Sequence, residues 1–267
     1  MPETPETLGI VGLGLLGSAL AERLLAGGFR IIGYDVRPEQ VENLRRLGGS
    51  PARSATEVAA ACQRLLLSLP TSAVADQVLA EISPHLHPGA IVIDTTTGEP
   101  EEMAAFGARL ASRGVAYLDA TVGGSSRQAR AGEAIIICGG EPAAYARCAD
   151  LFALCCRKAF HVGPSGSGAR MKLVLNLVLG LNRAVLAEAL EYARACGIDP
   201  AEALAILKSG PAYSRVMDTK GPKMLTGDFE PEARLSQHLK DVLLILASGQ
   251  RCGAKLPLST LHRALLE

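Results

Sequence analysis

The sequence predicts an α/β protein, in which a doubly wound, mostly parallel sheet is followed by an all-α C-terminal domain. Short apolar runs alternate with helical patterns from Thr7 to Cys138, as in a parallel sheet covered by helices on both faces. After the glycine-rich break Gly163–Gly168 only helical patterns follow, and the first is a long apolar stretch that predicts an interdomain helix. We therefore expect two domains, at residues 1–164 and 165–267.

The first strand pattern leads into a glycine-rich turn. Thr7–Val11 is apolar, Gly12–Gly17 reads GLGLLG, and a helical pattern continues to Gly27. A second strand pattern, Arg30–Tyr34, ends at Asp35, about 20 residues after the turn. The same letters in another context would indicate only a turn. Between a strand and a helix they match the dinucleotide-binding fingerprint and predict a Rossmann-type domain.

Each part of this fingerprint has a physical role. Gly12 permits the tight turn, Gly14 lets a pyrophosphate approach the backbone, and Gly17 lets helix and strand pack closely. Asp35 can accept hydrogen bonds from the adenosine ribose and repel a 2′-phosphate, which favours NAD over NADP. Arg37 keeps NADP open, because it is either a solvated side chain or a ligand of that phosphate.

Polar or glycine-rich loops follow the later strands, at the sheet edge where ligands of parallel sheets gather. The expected strands are Arg64–Leu69, Ala90–Ile93, Val115–Leu118 and Ala134–Cys138, with helices at Ser72–Ile82 and up to Leu110. The loops are Leu69–Thr71, Thr95–Thr97 and Val122–Ser126. The threonine loop has a second interpretation, in which Thr97 or Gly98 lies near the N-cap of the next helix.

The long apolar stretch contains an unexpected lysine. From Leu173 to Leu181 the only polar side chain is Asn176, which predicts a helix buried on all sides but, at roughly 10 uncharged residues, too short to cross a bilayer. Lys172 and Asn176 share one face of that helix. A buried lysine is costly unless it is paired, neutral or beside a polar cavity; the alternative is a stem that reaches the surface. Further helices are expected at Pro200–Leu207, Tyr213–Met217, Arg234–Ala247 and Pro257–Leu266.

Composition excludes several classes of protein. The 267 residues carry 27 basic and 27 acidic side chains, so no net field indicates binding to nucleic acid or an anionic membrane. The seven cysteines lack CxxC spacing and fit a reducing compartment better than a disulfide framework. No signal peptide, transmembrane span or metal-ligand spacing is recognised, and His85 and His87 are expected in a surface loop. We expect a cytoplasmic protein.

Four separated motifs resemble the β-hydroxyacid dehydrogenase family, which includes 3-hydroxyisobutyrate dehydrogenase and the tartronate, glyoxylate and succinic semialdehyde reductases. A more distant similarity is to 6-phosphogluconate dehydrogenase. The motifs cover nearly the whole chain and stand in the family's order. They are GLGLLGSALAERLLAGG, the loop DATVGGS from Asp119 with Gly132 after it, the segment Gly163–Asn176 that resembles GxxGxGxxxKxxNN, and Leu239–Asp241.

The resemblance implies a role for each matching position. Lys172 matches the catalytic lysine, and Asn176 matches the asparagine that helps to hold the substrate. Lys240, with Asp241 beside it, matches a residue near the nicotinamide and substrate. Further cofactor contacts are implied at Leu15, Leu16, Asp35, Leu69, Pro70 and Thr97, and substrate contacts at Gly123, Gly124 and Ser125.

Three departures from the family pattern bear on the site. The serine of the family's SGG is Gly123 here, so Ser125 or Ser126 takes over its contact, or the substrate differs. The first asparagine of the NN pair is Leu175. Family members continue past the position of Glu267 into another helix, so truncation of the C-terminal domain is one expectation.

The resulting hypothesis is an NAD(P)-dependent dehydrogenase or reductase of a small β-hydroxy acid or its semialdehyde. Lys172 would act as general acid/base, and the amides of Gly123–Ser125 would form a nest for the substrate carboxylate. The alternatives are an imine reductase, which generally has another residue at the lysine position, and an inactive NAD(P)-binding interaction module. The long apolar helix also favours a homodimer or homotetramer.

Overall fold

The computed structural model describes residues 6–228, 230 and 235–267. The chain divides into two compact units, Met1–Lys172 and Leu173–Glu267. Both the division and the sequence-predicted boundary at 164/165 lie close to the start of the long helix. Lys172 belongs to the first unit.

The first unit is built on one eight-stranded sheet with the order β3-β2-β1-β4-β5-β6-β7-β8. All neighbouring pairs are parallel except β6 and β7. The order reverses between β1 and β4, which is where α/β sheets form their ligand crevice. The strands are β1 Thr7–Val11, β2 Arg30–Tyr34, β3 Ser50–Pro51, β4 Arg64–Leu67, β5 Ile91–Asp94, β6 Ala116–Gly123, β7 Ile135–Gly140 and β8 Lys158–His161.

Helices cover both faces of this sheet, as the alternating pattern predicted. On β4, Leu66 joins one buried cluster with Leu20 and Phe152, whereas Leu65 and Leu67 point into a second cluster. Successive residues of a strand face opposite sides, so such strands must be apolar throughout. The helices are α1 Leu15–Ala26, α2 Pro38–Arg46, α3 Ala55–Ala61, α4 Ser72–Ile82, α5 Pro100–Ala111, α6 Ser126–Arg130, α7 Pro142–Ala146 and α8 Ala149–Cys155, with a 3₁₀ turn at Ser83–His85.

Several predicted elements agree residue for residue with the structure, whereas β6 and β7 extend beyond their predicted ends. β1, β2 and α4 have the predicted bounds. The strand expected to end at Leu118 continues to Gly123, because its polar residues Asp119 and Thr121 are hydrogen-bonded inside the protein. The prediction had treated the buried carboxylate as a strand end. Elements α2, β3, α3, α6, α7, α8 and β8 were not predicted.

The second unit is helical, as expected. Its core contains Leu186, Leu190, Leu204, Val216 and Met217. The helices are α9 Ser167–Ala195, whose first residues belong to the first unit, α10 Pro200–Ser209, α11 Arg215–Thr219, α12 Gly221–Thr226, α13 Leu235–Arg251 and α14 Pro257–Leu266. α14 has the predicted bounds, α12 was not predicted, and the predicted start of α13 at Arg234 lies outside the described residues.

The expectation that α9 is buried on all sides is wrong for the single chain. Val178 and Val185 are 52% and 65% exposed, whereas Lys172 and Asn176 are buried. The helix therefore has one buried face and one exposed apolar face. Its length and composition alone would allow it to cross a membrane, contrary to the sequence estimate that counted only the uncharged run. The same criteria are met by long helices of soluble proteins.

Candidate active site

The turn between β1 and α1 requires glycine at two positions. Gly12 has a φ of +93°, and a Cβ there would lie 2.3 Å from the Ser68 carbonyl oxygen. At Gly17 a Cβ would lie 2.0 Å from the Gly12 oxygen. Any side chain at either position would displace backbone, so the turn and the first turn of α1 pack as the fingerprint predicts.

Gly14, by contrast, faces open space. It is the N-cap of α1 and supplies no side-chain cap, and the nearest atom to a Cβ there is an Arg37 nitrogen 3.7 Å away. Leu15 is 72% exposed, and Leu16 packs against the core. The first amides of a 12-residue helix are thus left without a capping side chain at an open surface. This arrangement fits a dinucleotide pyrophosphate.

Asp35 is fixed at the end of β2 by its neighbours. One carboxylate oxygen accepts the Leu13 amide at 2.7 Å, and the other accepts the Arg37 amide at 2.9 Å and its Nε at 3.2 Å. The Asp35 carboxylate raises the pKa of Arg37. Arg37 is therefore half exposed and paired with Asp35. The sequence had left open a solvated side chain or a ligand of the 2′-phosphate, and neither interpretation included this pairing.

The loops after β4 and β5 are tied to each other. The Leu69 amide donates to Thr96 Oγ1 at 3.3 Å, and the Thr95 hydroxyl donates to the Leu67 carbonyl at 2.8 Å. Pro70 is exposed and Thr97 is half-buried beside them. The N-cap of α5 is Glu99, so Thr97 and Gly98 do lie near the start of that helix, but no side chain caps it. The threonines instead connect two predicted cofactor loops.

A buried carboxylate, Asp94, supports these loops and was not identified from the sequence. It accepts the Thr96 amide and the Tyr117 hydroxyl, each at 2.9 Å. Burial raises the pKa of Asp94 to about 6, although both hydrogen bonds act in the opposite direction. The sequence signal that could have identified Asp94 is an aspartate at the end of an apolar strand pattern.

The loop after β6 is shaped by a helix cap. Gly124 has a φ of +147°, and Ser125 is the N-cap of α6. The Ser125 hydroxyl accepts the Gln128 amide at 3.2 Å, while the Ser125 amide donates to the Gln128 side chain at 2.9 Å. The expected nest of three amides is therefore incomplete, because the Ser125 amide is engaged. Ser126 takes no part in this capping box.

Lys172 lies against this loop. Its Nζ donates to the Val122 carbonyl oxygen at 2.8 Å, and its side chain is buried, with the whole residue 7% exposed. Val122 immediately precedes Gly123. The structure thus brings the predicted general acid/base to the predicted carboxylate loop, and the alternative of a lysine that reaches the surface is wrong.

In the second unit, Asn176, Lys240 and Asp241 come together. Asn176 Nδ2 donates to Asp241 Oδ2 at 2.9 Å, and Lys240 Nζ lies 3.2 Å from Asp241 Oδ1. Asp241 is 9% exposed, so the alternative of an exposed charged pair is wrong. The sequence had proposed the substrate or Lys172 as the partner of Asn176; the amide nitrogen instead bonds Asp241.

Two histidines close to these residues were also missed. The rings of His238 and His262 lie 5.1 Å apart, and a Cβ at Gly180 would lie within 2.8 Å of both. Burial lowers the pKa of each, with the charge of Arg183 acting in the same direction. His85 and His87 are exposed, as expected. Within residues 6–228, 230 and 235–267, no group of three His, Cys, Asp or Glu side chains is placed to hold a metal.

Family models match almost the whole chain. Residues 7–163 match the NAD-binding domain of 6-phosphogluconate dehydrogenase, and residues 166–267 match the NAD-binding model of NADP-dependent 3-hydroxyisobutyrate dehydrogenase. The chain belongs to the β-hydroxyacid dehydrogenase family. Its predicted fold class, its nicotinamide-cofactor domain and its assignment as an oxidoreductase are confirmed, whereas the roles of individual site residues stay predictions.

Individual family members support this assignment. The chain is 29% identical to L-threonate dehydrogenase of Cupriavidus necator over 256 residues, which cover 94% of this chain and 86% of that protein. It is 28% identical to 2-(hydroxymethyl)glutarate dehydrogenase of Eubacterium barkeri, with 97% and 88% covered.

Solved structures show the same fold. The 3-hydroxyisobutyrate dehydrogenase of Mycobacterium tuberculosis, with L-serine, superposes with a TM-score of 0.91 at 23% identity, covering 98% of this chain and 93% of that chain. An imine reductase of Myxococcus stipitatus, with NAD+, superposes with a TM-score of 0.70 at 19% identity, covering 98% and 93%. Both likenesses concern the fold alone.

Proposed function

We propose that this family member transfers a hydride between NAD(P) and a small β-hydroxy acid or its semialdehyde, of the 3-hydroxyisobutyrate kind. The observation that carries the proposal is the position of Lys172, whose Nζ lies 2.8 Å from the Val122 oxygen at the start of the Gly123–Ser126 loop. A proton-transfer group and a carboxylate-binding loop are the two protein parts that this reaction needs. The nicotinamide, when bound, supplies or accepts the hydride.

Lys172 accepts or donates the proton of the reacting oxygen, depending on the direction of the reaction. In the oxidation direction the neutral amine accepts the proton of the substrate hydroxyl while the carbinol C–H bond breaks and the C=O bond forms. In the reduction direction the ammonium donates that proton to the carbonyl oxygen. Burial keeps the Lys172 amine out of bulk water, and the Val122 oxygen orients it.

Substrate recognition follows from the shape of the loop. Gly123 and Gly124 let a carboxylate approach the backbone without a side chain in between. Of the two serines, Ser126 is the better candidate for a substrate contact, since the Ser125 hydroxyl and amide are engaged with Gln128. Asn176, Lys240 and Asp241 remain the proposed substrate residues of the second unit.

NAD is the proposed preferred cofactor, with NADP as a second possibility. Asp35 stands at the end of β2, where it can accept the ribose hydroxyls, and a 2′-phosphate would meet its negative charge. Arg37 already pairs with Asp35, and a direct contact of its guanidinium with a 2′-phosphate would draw it away from that carboxylate. A pocket of about 410 Å³, lined in part by Gly14, Arg37 and Gln40, has room for the displaced guanidinium.

The two alternatives each have an observation behind them. An imine reductase shares the fold, but a residue other than lysine is expected at the position of Lys172 in such enzymes. The alternative of an inactive NAD(P)-binding module is supported by a relative whose name gives no enzyme activity, the cytokine-like nuclear factor N-PAC of Xenopus tropicalis. It is 29% identical over 96% of this chain and 48% of that protein. A panel of hydroxy acids, semialdehydes and cyclic imines with both cofactors tests all three. Turnover of hydroxy acids supports the proposal; turnover of imines alone, or tight cofactor binding without turnover, supports an alternative.

The proposed assembly is a homodimer or homotetramer in the cytoplasm, without nucleic-acid or membrane partners. The exposed apolar face of α9, with Val174, Val178, Val185 and Tyr192 between 50% and 73% exposed, supports self-association through that helix. Sedimentation at micromolar concentration tests it. A monomeric wild-type protein would overturn the proposal. The double variant Val178→Glu with Val185→Glu is expected to be monomeric.

A further inference from the structure

The start of α9, which carries Lys172, is bound to a buried carboxylate on β6. Asp119 is fully buried, and its Oδ1 accepts the Gly166 amide at 2.9 Å while its Oδ2 accepts the Ala169 amide at 2.7 Å. α9 begins at Ser167, so these are amides at the helix N-terminus. A carboxylate there both replaces the missing intrahelical acceptors and complements the helix dipole.

Strand β6 and the helix approach so closely that no side chain fits between them. A Cβ at Gly168 would lie 2.2 Å from the Asp119 carbonyl oxygen. Gly139, on the neighbouring strand β7, is packed as tightly, because a Cβ there would lie 2.5 Å from Asp119 Oδ1 and 2.8 Å from the Gly168 nitrogen. Thr121, two residues along β6, donates to the Gly168 carbonyl at 3.3 Å and to the Ile137 carbonyl at 3.2 Å.

The same strand holds the end of the Lys172 side chain. Val122 follows Thr121, and its carbonyl oxygen accepts the amine. β6 therefore contacts the helix at three successive levels, at the first amides through Asp119, at Gly168 through Thr121, and at Lys172 through Val122. Lys172 lies one turn after Ala169, so a shift of the helix start would carry the amine with it.

We propose that Asp119 is a positioning residue for the proton transfer, which fixes the first turn of α9 so that the Lys172 amine stays beside the Gly123–Ser126 loop. This inference rests on the proposed function of Lys172. Asp119 itself does not touch the reacting atoms. Asparagine cannot replace it, since only one of its two terminal atoms can accept an amide hydrogen.

The test compares Asp119→Asn with Ser54→Ala in the full chain. Ser54 caps α3 by accepting the Glu57 amide at 3.1 Å, so its loss removes a helix cap of the same unit away from Lys172. We expect the kcat of D119N to fall at least tenfold, with substrate KM and cofactor Kd within threefold of wild type. The solvent deuterium isotope effect on kcat is expected to rise, because proton transfer becomes slower. S54A should keep the wild-type kcat and isotope effect.

Acylation of Lys172 by acetic anhydride, measured by mass spectrometry, provides a readout that does not depend on turnover. We expect it to be at least fivefold faster in D119N than in wild type and unchanged in S54A. Should D119N fail to fold, Thr121→Val provides a second variant, because it removes the hydroxyl that donates to the Gly168 and Ile137 carbonyls but keeps the side-chain shape. It is expected to change both readouts in the same direction by about a third as much.

The outcomes separate this inference from the proposed function. A kcat within twofold, an unchanged isotope effect, or unchanged Lys172 labelling in the folded variant would overturn the role of Asp119. Full turnover by Lys172→Ala would overturn the role of Lys172 and leave the labelling result to decide whether Asp119 positions that side chain.

Discussion

Lys172 Nζ donates a hydrogen bond to the Val122 carbonyl oxygen across 2.8 Å, although the two residues are 50 positions apart in the chain. The bond joins a residue near the start of α9 to the penultimate residue of β6. It places a nearly buried amine next to a glycine pair that can admit a carboxylate. Most of the proposed chemistry depends on this relationship.

Two glycine variants separate cofactor binding from folding. In Gly17→Ala the new Cβ meets a backbone oxygen at 2.0 Å, so we expect lower thermal stability together with lost cofactor binding. In Gly14→Ala the nearest atom is 3.7 Å away, so the fold should be retained. The methyl group would nevertheless occupy the space proposed for the pyrophosphate. We expect a Tm within about 2 °C of wild type and a cofactor Kd at least tenfold higher, by calorimetry.

Arg37→Ala tests the proposed choice of cofactor. Removal of the guanidinium leaves the Asp35 carboxylate without its ion-pair partner, which strengthens repulsion of a 2′-phosphate. We expect the NADP Kd to rise at least tenfold while the NAD Kd stays within threefold. An equal change for both cofactors would show that Arg37 does not contact the phosphate.

Arg64 is expected to stabilise the first unit more than a surface arginine does. It is nearly buried, donates to Glu6 and Asp150, and to the Arg147 carbonyl at 2.9 Å. Burial alone would lower the pKa of Arg64, but hydrogen bonds to the two carboxylates raise it overall. Because those carboxylates are partly exposed, we expect Arg64→Met to cost about 1–3 kcal/mol in urea unfolding.

The matched control is Arg109→Met. Arg109 pairs with Asp76 at 2.7 Å, and both side chains are about half exposed. We expect a loss of less than about 1 kcal/mol. Equal losses in the two variants would contradict the special role of Arg64.

The two histidines of the second unit predict a loss of stability in acid. Burial and Arg183 lower the folded-state pKa of His238 and His262, while Asp241 raises that of His238 by a smaller amount. Both are therefore neutral in the folded state near pH 7. As the pH falls below about 6.5 the unfolded chain takes up the protons first, and stability decreases.

The measurement is the Tm between pH 7.5 and pH 5.5. We expect it to fall by several degrees in wild type and by less in His262→Gln, which has one histidine fewer to protonate. An identical decrease in both proteins would assign the effect to other groups.

The sequence predicted those parts of the fold that local patterns specify. Thr7–Val11 and Arg30–Tyr34 were predicted to the residue, since apolar runs bounded by glycine or aspartate leave little choice of strand limits. The strand β7 was predicted at Ala134–Cys138, but its antiparallel direction was not, because strand direction depends on partners distant in the chain. The short β8 was not predicted at all.

The sequence likewise predicted some residues of the candidate site and missed others. Lys172 and Asn176 stood out because polar residues in an apolar helix are conspicuous. Asp94 and Asp119 did not, since an aspartate at the end of an apolar run resembles a loop residue until its hydrogen bonds are known. The engagement of Ser125 as a helix cap also depends on Gln128, three residues later, and was not considered.

The most direct test of the account is the turnover of Lys172→Ala with a hydroxy-acid substrate that wild type oxidises, measured beside the cofactor Kd of both proteins. We expect kcat to fall at least 100-fold while the cofactor Kd stays within threefold, since the amine transfers the proton and does not bind the dinucleotide. A kcat within threefold of wild type would contradict Lys172 as the general acid/base.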